Sequence, residues 1–237
     1  MTERQVKSKE RVTEHGEVFT SEREVNAMLD LVKQETERID SRFLEPACGD
    51  GNFLAEILRR KLAVVKRQYG KSTPDYEKYA VVAITSIYGV ELLQDNVDDC
   101  RKRLFDIWNT EYTTNCKKDC SNECREAVRY ILIHNILCGN ALTLKKVDTQ
   151  GQDTAEPIIF AEWEMVIGTM LKRRDFRLDV LMEAESSGNA EQKQLSLLDD
   201  GPSNINYWMT DPETQKPIPK PIREYPLTDY RKVHKNG

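Results

Sequence analysis

The sequence predicts an α/β fold: an incomplete parallel sheet with flanking helices and an N-terminal helical arm. Three observations carry this. Short apolar runs alternate with longer stretches of helical period, as in a parallel sheet whose strands are joined by crossover helices. One run, FLEPACGDGNF at Phe43–Phe53, passes from strand to helix through two glycines that flank an aspartate. The alternation then dissolves beyond residue 183, too early for a full sheet.

The elements follow in order. Residues 1–18 read as a frayed or extended arm. A helix begins near Ser21, where Thr20 or Ser21 caps and Glu22 and Glu24 suit the positive N-terminal end. Val25, Met28, Leu29, Val32 and Ile39 recur at helical spacing. Phe43–Leu44 is a short strand, and Asn52–Val65 a helix with Phe53, Leu54, Ile57, Leu58 and Leu62 on one side. A charged loop is expected over residues 66–78, with Tyr76–Thr85 helical and Ser86–Glu91 a strand ending in an acid. Asp95–Trp108 is amphipathic, with Val97, Cys100, Leu104 and Ile107 inward. Tyr130–Leu137 leads to a strand end, CGNAL, at Cys138–Leu142. Glu164–Gly168 is expected as a fourth strand and Arg174–Glu183 as a last helix. Residues 19–183 form one domain in this reading, and 184–237 a polar linker and an extended, proline-spaced C-terminal tail.

Composition excludes some classes. Of 237 residues 39% are hydrophobic and 32% charged, and the net charge is −5. A free-standing nonspecific DNA binder is ordinarily basic, because phosphate neutralisation supplies that affinity. The basic runs Arg59-Arg60-Lys61 and Lys172-Arg173-Arg174 are as well explained by solvated helix faces as by contacts to nucleic-acid phosphate, and for the second an exposed helix start is the favoured reading. The chain starts polar and has no run of 18 apolar residues, so neither a signal peptide nor a membrane span is expected. The default is a cytoplasmic protein with its six cysteines reduced.

The glycine turn ends a strand, and ligands of open α/β sheets bind beyond such ends. Gly49 and Gly51 let backbone approach a ligand closely, and the next helix offers free N–H groups. Glu91, at the next strand end, suits both hydroxyls of a ribose; Asn140, at the third, suits an adenine edge. The spacing is not GxGxxG, and a Gly-x-Gly turn alone is as well explained by a tight turn.

Taken in order, GEVFTSEREVNAML (Gly16–Leu29), FLEPACGDGNFL (Phe43–Leu54), IYGVEL (Ile87–Leu92) and ILCGNALTL (Ile136–Leu144) resemble the motifs of S-adenosylmethionine-dependent DNA adenine N6-methyltransferases. The likeness is to type I modification subunits and fused restriction–modification enzymes, over roughly residues 11–170. It implies a Rossmann-like methyltransferase domain with S-adenosylmethionine as cofactor. Phe19 and Thr20 match the arm that closes over the methionine moiety; Glu45, Pro46, Ala47, Gly49 and Gly51 match the loop cradling it. Glu91 matches the ribose acid, Leu92 the apolar residue beside adenine, and Asn140 stands where the family has Asp.

The family's Asn-Pro-Pro-Tyr motif, which holds and stacks the flipped adenine, is absent. Thr169, Met170, Leu171 and Lys172 occupy its expected place. Two readings stay open beside each other. Either the chain holds the cofactor and a partner polypeptide supplies base binding and target recognition, or it is a noncatalytic methyltransferase-like remnant or interaction subunit, with or without bound cofactor. A methyltransferase acting on a non-DNA substrate is a third. A protein partner or a second copy is expected to cover the fourth strand, DNA to be contacted only together with a partner subunit, and no membrane to be involved.

Cys116, Cys120 and Cys124 recur every four residues. Zinc sites favour Cys-x2-Cys pairs and need a fourth ligand, whereas four-residue spacing puts the three thiols on one helix stripe, so they are read as small apolar groups and no metal is expected. His15, His134 and His234 have no nucleophile or carboxylate arrangement around them.

Overall fold

The computed structural model describes Arg11, residues 20–186 and residues 207–236. Helix α1 (Glu22–Leu31) starts where the sequence places it. Ser21 Oγ accepts the Glu24 N–H and the Glu24 carboxylate accepts the Ser21 N–H, a capping box. A single turn, α2 (Lys33–Thr36), precedes strand β1 (Phe43–Glu45). Helix α3 (Asn52–Tyr69) outlasts its expected end, and α4 (Thr73–Thr85) starts early, with Pro74 in its first turn. The charged loop therefore shrinks to residues 70–72.

Strand β2 (Ile87–Glu91) is followed by helix α5 (Gln94–Cys116), helix α6 (Asn122–Asn135) and strand β3 (Ile136–Cys138). Helix α5 continues past Trp108 because Trp108, Tyr112 and Cys116 extend one buried face at i, i+4 spacing. Cys116 closes that helix, Cys120 follows a 3-10 turn and Cys124 lies in α6, so the three thiols share no single helix. Burial raises the pKa of Cys116 and Cys124, as expected of thiols packed like apolar groups.

The three strands form a parallel sheet in the order β1-β2-β3, with Glu45 beside Gly89 and Glu91 beside Cys138. Ile87 joins Leu54, Leu58, Val97 and Leu104 in the helical core on one face. Gly89 has no room for a side chain: a Cβ would stand 2.8 Å from Cys48 Sγ and 3.0 Å from Leu54 Cδ1. On the other face, Tyr88 and Val90 pack with Ile158, Phe160 and Leu178.

That second face corrects the sequence reading. After a small hairpin, β4 (Lys145–Val147) with β5 (Asp153–Pro157), come β6 (Ile159–Ile167) and β7 (Met170–Arg177). Glu164–Gly168 is thus not a fourth parallel strand. Its residues end β6 and enter the turn at Gly168-Thr169, and β6 pairs antiparallel with β7. β6 crosses the face against the direction of the parallel strands. Ile158 lies by Gly139, at the strand ends; Ala161 O accepts the Tyr88 O–H at 3.0 Å; Glu162 pairs with Arg42, just before β1, at 2.7 Å. The result is a mixed α/β fold with a three-stranded parallel sheet, helices packed on one face, and the antiparallel hairpin with the start of α7 on the other.

The expected helix over Arg174–Glu183 is corrected likewise: α7 spans Leu178–Ser186 and Arg174–Arg177 stay in β7. Alternate residues Leu171, Arg173 and Asp175 are buried. Arg173 pairs with Asp175 at 2.7 Å, and Tyr225 donates its O–H to the same carboxylate. Arg174 reaches across the pair to Glu162 and Glu164, and Lys172 meets Glu224. The Lys172-Arg173-Arg174 run is therefore a strand with internal partners, not a solvated helix face.

Residues 207–236 are largely extended. Strands β8 (Trp208–Thr210) and β9 (Pro217–Pro219) form a hairpin, and β10 (Arg223–Glu224) and β11 (Thr228–Asp229) pair antiparallel with β7. A 3-10 turn, Tyr230–Lys235, packs on α6.

Lys61, expected at a solvated surface, is fully buried in α3. Its three donors meet Ile39 O at 3.1 Å, Ser41 O and Ser86 Oγ, tying the α2–β1 connection to the start of β2. Among the described residues no carboxylate bonds it. Burial pulls its pKa down to about 7; Asp40 and Glu35 oppose this and Arg38 adds to it. The unfolded chain holds that proton to about pH 10.4. Above pH 7 the folded state has released a proton that the unfolded state keeps, so Lys61 makes stability rise with pH. We expect denaturant titrations from pH 7 to 8.5 to show wild type gaining on Lys61→Met by up to about 1.4 kcal/mol per pH unit. A pH-independent difference between the two proteins would overturn this.

Candidate functional site at the ends of the parallel strands

The strand ends bring Glu45, Glu91 and the β3 exit to one edge of the sheet. The chain leaves β1 through Pro46 and Ala47, both exposed, and turns back at Cys48, whose N–H bonds Val90 O at 3.0 Å. Gly49 and Gly51 both have positive φ, +52° and +90°. The left-handed region is open to glycine at little cost and closed to most residues, which explains this string at this corner.

Glu91 organises the corner. One carboxylate oxygen accepts the Gly49 N–H at 2.9 Å; the other accepts the Leu93 N–H at 3.0 Å. Asn96 Nδ2 stands 3.5 Å from that second oxygen as well; a carboxylate has about four acceptor positions, so room for a further donor remains. The backbone around it is paired too: Gly139 N–H bonds Glu91 O at 2.9 Å, and the Cys138 thiol faces Leu92 O at 3.5 Å.

Glu45 is half-buried, and loss of water raises its carboxyl pKa above the usual range, opposed by the Ala47 N–H. A cation placed beside it would reverse that shift. Cys48 is buried with its thiol against Cys100; that contact and burial hold its pKa far above the normal thiol value, which makes it inert.

Asn140 leaves β3 as expected, but its side chain is engaged. Its Nδ2 donates to Asp153 at 3.0 Å and its Oδ1 accepts the Leu142 N–H at 3.0 Å. Thr20 lies at the mouth of the glycine turn, its carbonyl accepting Asn52 Nδ2 at 3.1 Å. Phe19 lies outside the described residues. Glu45, Pro46, Ala47, Gly49, Gly51, Glu91, Leu92 and Thr20 therefore gather at one edge, with Asn140 beside them in a turn of its own.

Residues 169–172 are elsewhere. Thr169 belongs to the β6–β7 turn, and its carbonyl accepts the Tyr230 N–H. Leu171 is buried in the core. Because β6 runs against the parallel strands, this turn lies toward their N-terminal ends, across the sheet from Gly49. The same far end holds a cleft of about 630 Å³ lined by the Ile39–Arg42 connection, Tyr69, Tyr79 and Trp163–Met165. Arg38, Arg42 and Lys78 are balanced there by Glu37, Asp40 and Glu164, so the cleft favours neither sign of charge.

The sequence reading missed Arg103. It stands on α5 opposite the glycine turn, with Nη2 at 2.6 Å from Asp50 Oδ2 and Nη1 on Asn52 Oδ1. Nothing local in the sequence announces a pair 53 residues apart. Among the described residues, no group of three or more His, Cys, Asp or Glu side chains is arranged to hold a metal ion, and no helix is long and apolar enough to cross a membrane.

Comparison with known proteins gives one curated relative. DNA methyltransferase A of Bacillus subtilis (strain 168) is 28% identical over 149 residues, which are 59% of this chain and 16% of that protein. The chain thus spans a small part of the relative's length. No protein-family model matches the chain, and no solved structure does.

Proposed function

We propose that this chain binds S-adenosylmethionine at the ends of β1, β2 and β3, as the cofactor-holding part of a DNA adenine N6-methyltransferase-type modification system. The observation that carries the reading is Glu91, fixed by the N–H groups of Gly49 and Leu93 and retaining acceptor capacity at the strand edge. The distant likeness to a DNA methyltransferase supports the same reading. When bound, the cofactor supplies an electrophilic methyl group. Glu91 then accepts the ribose hydroxyls, and Glu45 faces the ammonium of the methionine end. Pro46, Ala47 and the Gly49–Gly51 turn line that end, and Leu92 packs beside the adenine. Asn140 reaches the adenine edge only by exchanging its bond to Asp153.

Base binding falls to a partner in this proposal, because Thr169–Lys172 lie across the sheet from the glycine turn. That position also favours the second reading, a noncatalytic methyltransferase-like subunit that retains the cofactor corner. The first reading requires this chain to bind the cofactor and the second does not; where the cofactor binds, they differ in whether DNA methylation appears on adding a partner that carries an Asn-Pro-Pro-Tyr motif.

Calorimetric titration of the purified chain with S-adenosylmethionine should give one site. Glu91→Gln, which keeps an acceptor for Gly49 but loses the charge, is expected to weaken it by about 10- to 100-fold. Wild type showing neither heat nor a ligand-dependent melting shift would remove the reading.

A further inference from the structure

We propose that Arg103 is a positioning residue for the methionine end of the cofactor corner, acting through Asp50 and Asn52; the inference rests on the reading of that corner given above. The Gly49–Gly51 turn needs an external hold, because glycine restricts its own backbone least. Inside, that hold is the Gly49 N–H on Glu91 at 2.9 Å. Outside, it comes from successive turns of α5. Cys100 packs where a Gly51 side chain would stand, and Arg103, three residues on, spreads its guanidinium over the turn.

One guanidinium nitrogen lies 2.6 Å from Asp50 Oδ2. The other donates to Asn52 Oδ1 and is 3.4 Å from Asp50 Oδ1. Asn52, the first residue of α3, then donates to Thr20 O at 3.1 Å, and Thr20 precedes the capping residue of α1. A single planar fork therefore joins α5, the residue between the two glycines, the start of α3 and the arm junction.

An ordinary surface ion pair contributes little. This one differs in three respects. The Asp50 side chain is only 15% exposed, and the pair is charge-assisted and bonded at more than one point. Its acceptor also sits in a turn whose backbone N–H faces the cofactor corner. Preorganising such a turn lowers the ordering cost that binding must otherwise meet.

The test separates the two ends of the ligand. S-adenosylhomocysteine has the amino-acid end; 5′-methylthioadenosine lacks it. Affinities of wild type, Arg103→Met, Arg103→Lys and Asn52→Ala would be measured for both, the weaker ligand by competition. Arg103→Met is expected to weaken S-adenosylhomocysteine about tenfold and methylthioadenosine by no more than about twofold. Arg103→Lys should recover only part, since an ammonium cannot span Asp50 and Asn52 as a fork does. Asn52→Ala combined with Arg103→Met should cost less than the sum of the two, as members of one network do. Equal weakening of both ligands marks general loosening and overturns the proposal, as does no weakening of either. If Glu91→Gln loses binding and Arg103→Met does not, the cofactor reading stands and only this inference falls. If wild type binds neither ligand, both fall.

Discussion

Glu77→Ala should cost about 3–5 kcal/mol of stability, the range for stripping one partner from a buried charged network. Glu77 lies on α4 and is 4% exposed. Its carboxylate accepts the Tyr230 O–H at 2.7 Å, Arg231 Nε at 2.6 Å and the Tyr112 O–H. Tyr112 and Tyr230 are both fully buried. Burial first, and Glu77 second, raise both phenol pKa values, so each stays a hydrogen-bond donor at any physiological pH. Removing the acceptor leaves two buried hydroxyls and a half-shielded guanidinium without it. For a protein of this length the melting temperature should fall by about 10 °C. Glu77→Gln keeps a carbonyl for one or two of the donors and should cost less. A second readout locates the damage. Tyr230 and Arg231 are 153 and 154 residues from Glu77 and carry the C-terminal segment onto the helices. Limited trypsin digestion of Glu77→Ala should give early cuts at Arg223, Arg231 or Lys232 that wild type does not show. Uniform fragmentation, or a cost below about 1 kcal/mol, would count against a C-terminal anchor of this strength.

What the sequence made legible is what local chemistry decides. Ser21 and Glu24 announce their capping box three residues apart. FLEPACGDGNF carries its positive-φ corner in its two glycines, and Glu91 ends an apolar run. These gave the three parallel strands and most of the corner where they end. The direction of β6 was not legible, because a strand's apolar pattern is the same whether its neighbour runs parallel or antiparallel. The family template then filled the gap with a fourth parallel strand. The alternation of Leu171, Arg173 and Asp175 was the available signal. It was obscured because a Lys-Arg-Arg string suggests solvent until Asp175 is seen as a same-face partner two residues on. Lys61 misled in the same way: a lysine fully buried on backbone carbonyls and a hydroxyl looks, in sequence, like any basic helix face. Arg103 with Asp50, and Glu77 with Tyr230, join distant segments and leave no local trace.

Gly51→Ala should be a costly small substitution in the glycine turn, about 3 kcal/mol or more, because two costs add there. The first is backbone strain. Gly51 sits at φ +90°, outside the comfortable range of any L-residue. The second is space. An added Cβ would lie 2.7 Å from Cys100 Sγ and 3.4 Å from Cys100 Cβ, and Cys100 is fully buried against α3 and the turn. The turn cannot swing away easily, since Gly51 N–H bonds Cys48 O and Gly51 O accepts the Ala55 N–H, each at 2.8 Å. Gly168→Ala is the control. It also has positive φ, +56°, but nothing lies within 4 Å of its added Cβ, so strain alone should cost it about 1–2 kcal/mol. The excess at Gly51 measures packing against Cys100. Cys100→Ala in the Gly51→Ala background should therefore return part of that excess, although on its own it removes a buried thiol and destabilises. Denaturant midpoints at unchanged m-value would read all four proteins. If Gly51→Ala costs no more than Gly168→Ala, α5 yields at Cys100, and it cannot then be the rigid wall that holds the glycine turn against Glu91. Gly51 would in that case be a glycine for its backbone angle alone. If the excess appears, the same glycine is required by packing alone, and the division of labour is clear: Gly51 seats the turn on α5, and Gly49 presents its N–H to Glu91, the acid proposed to face the cofactor.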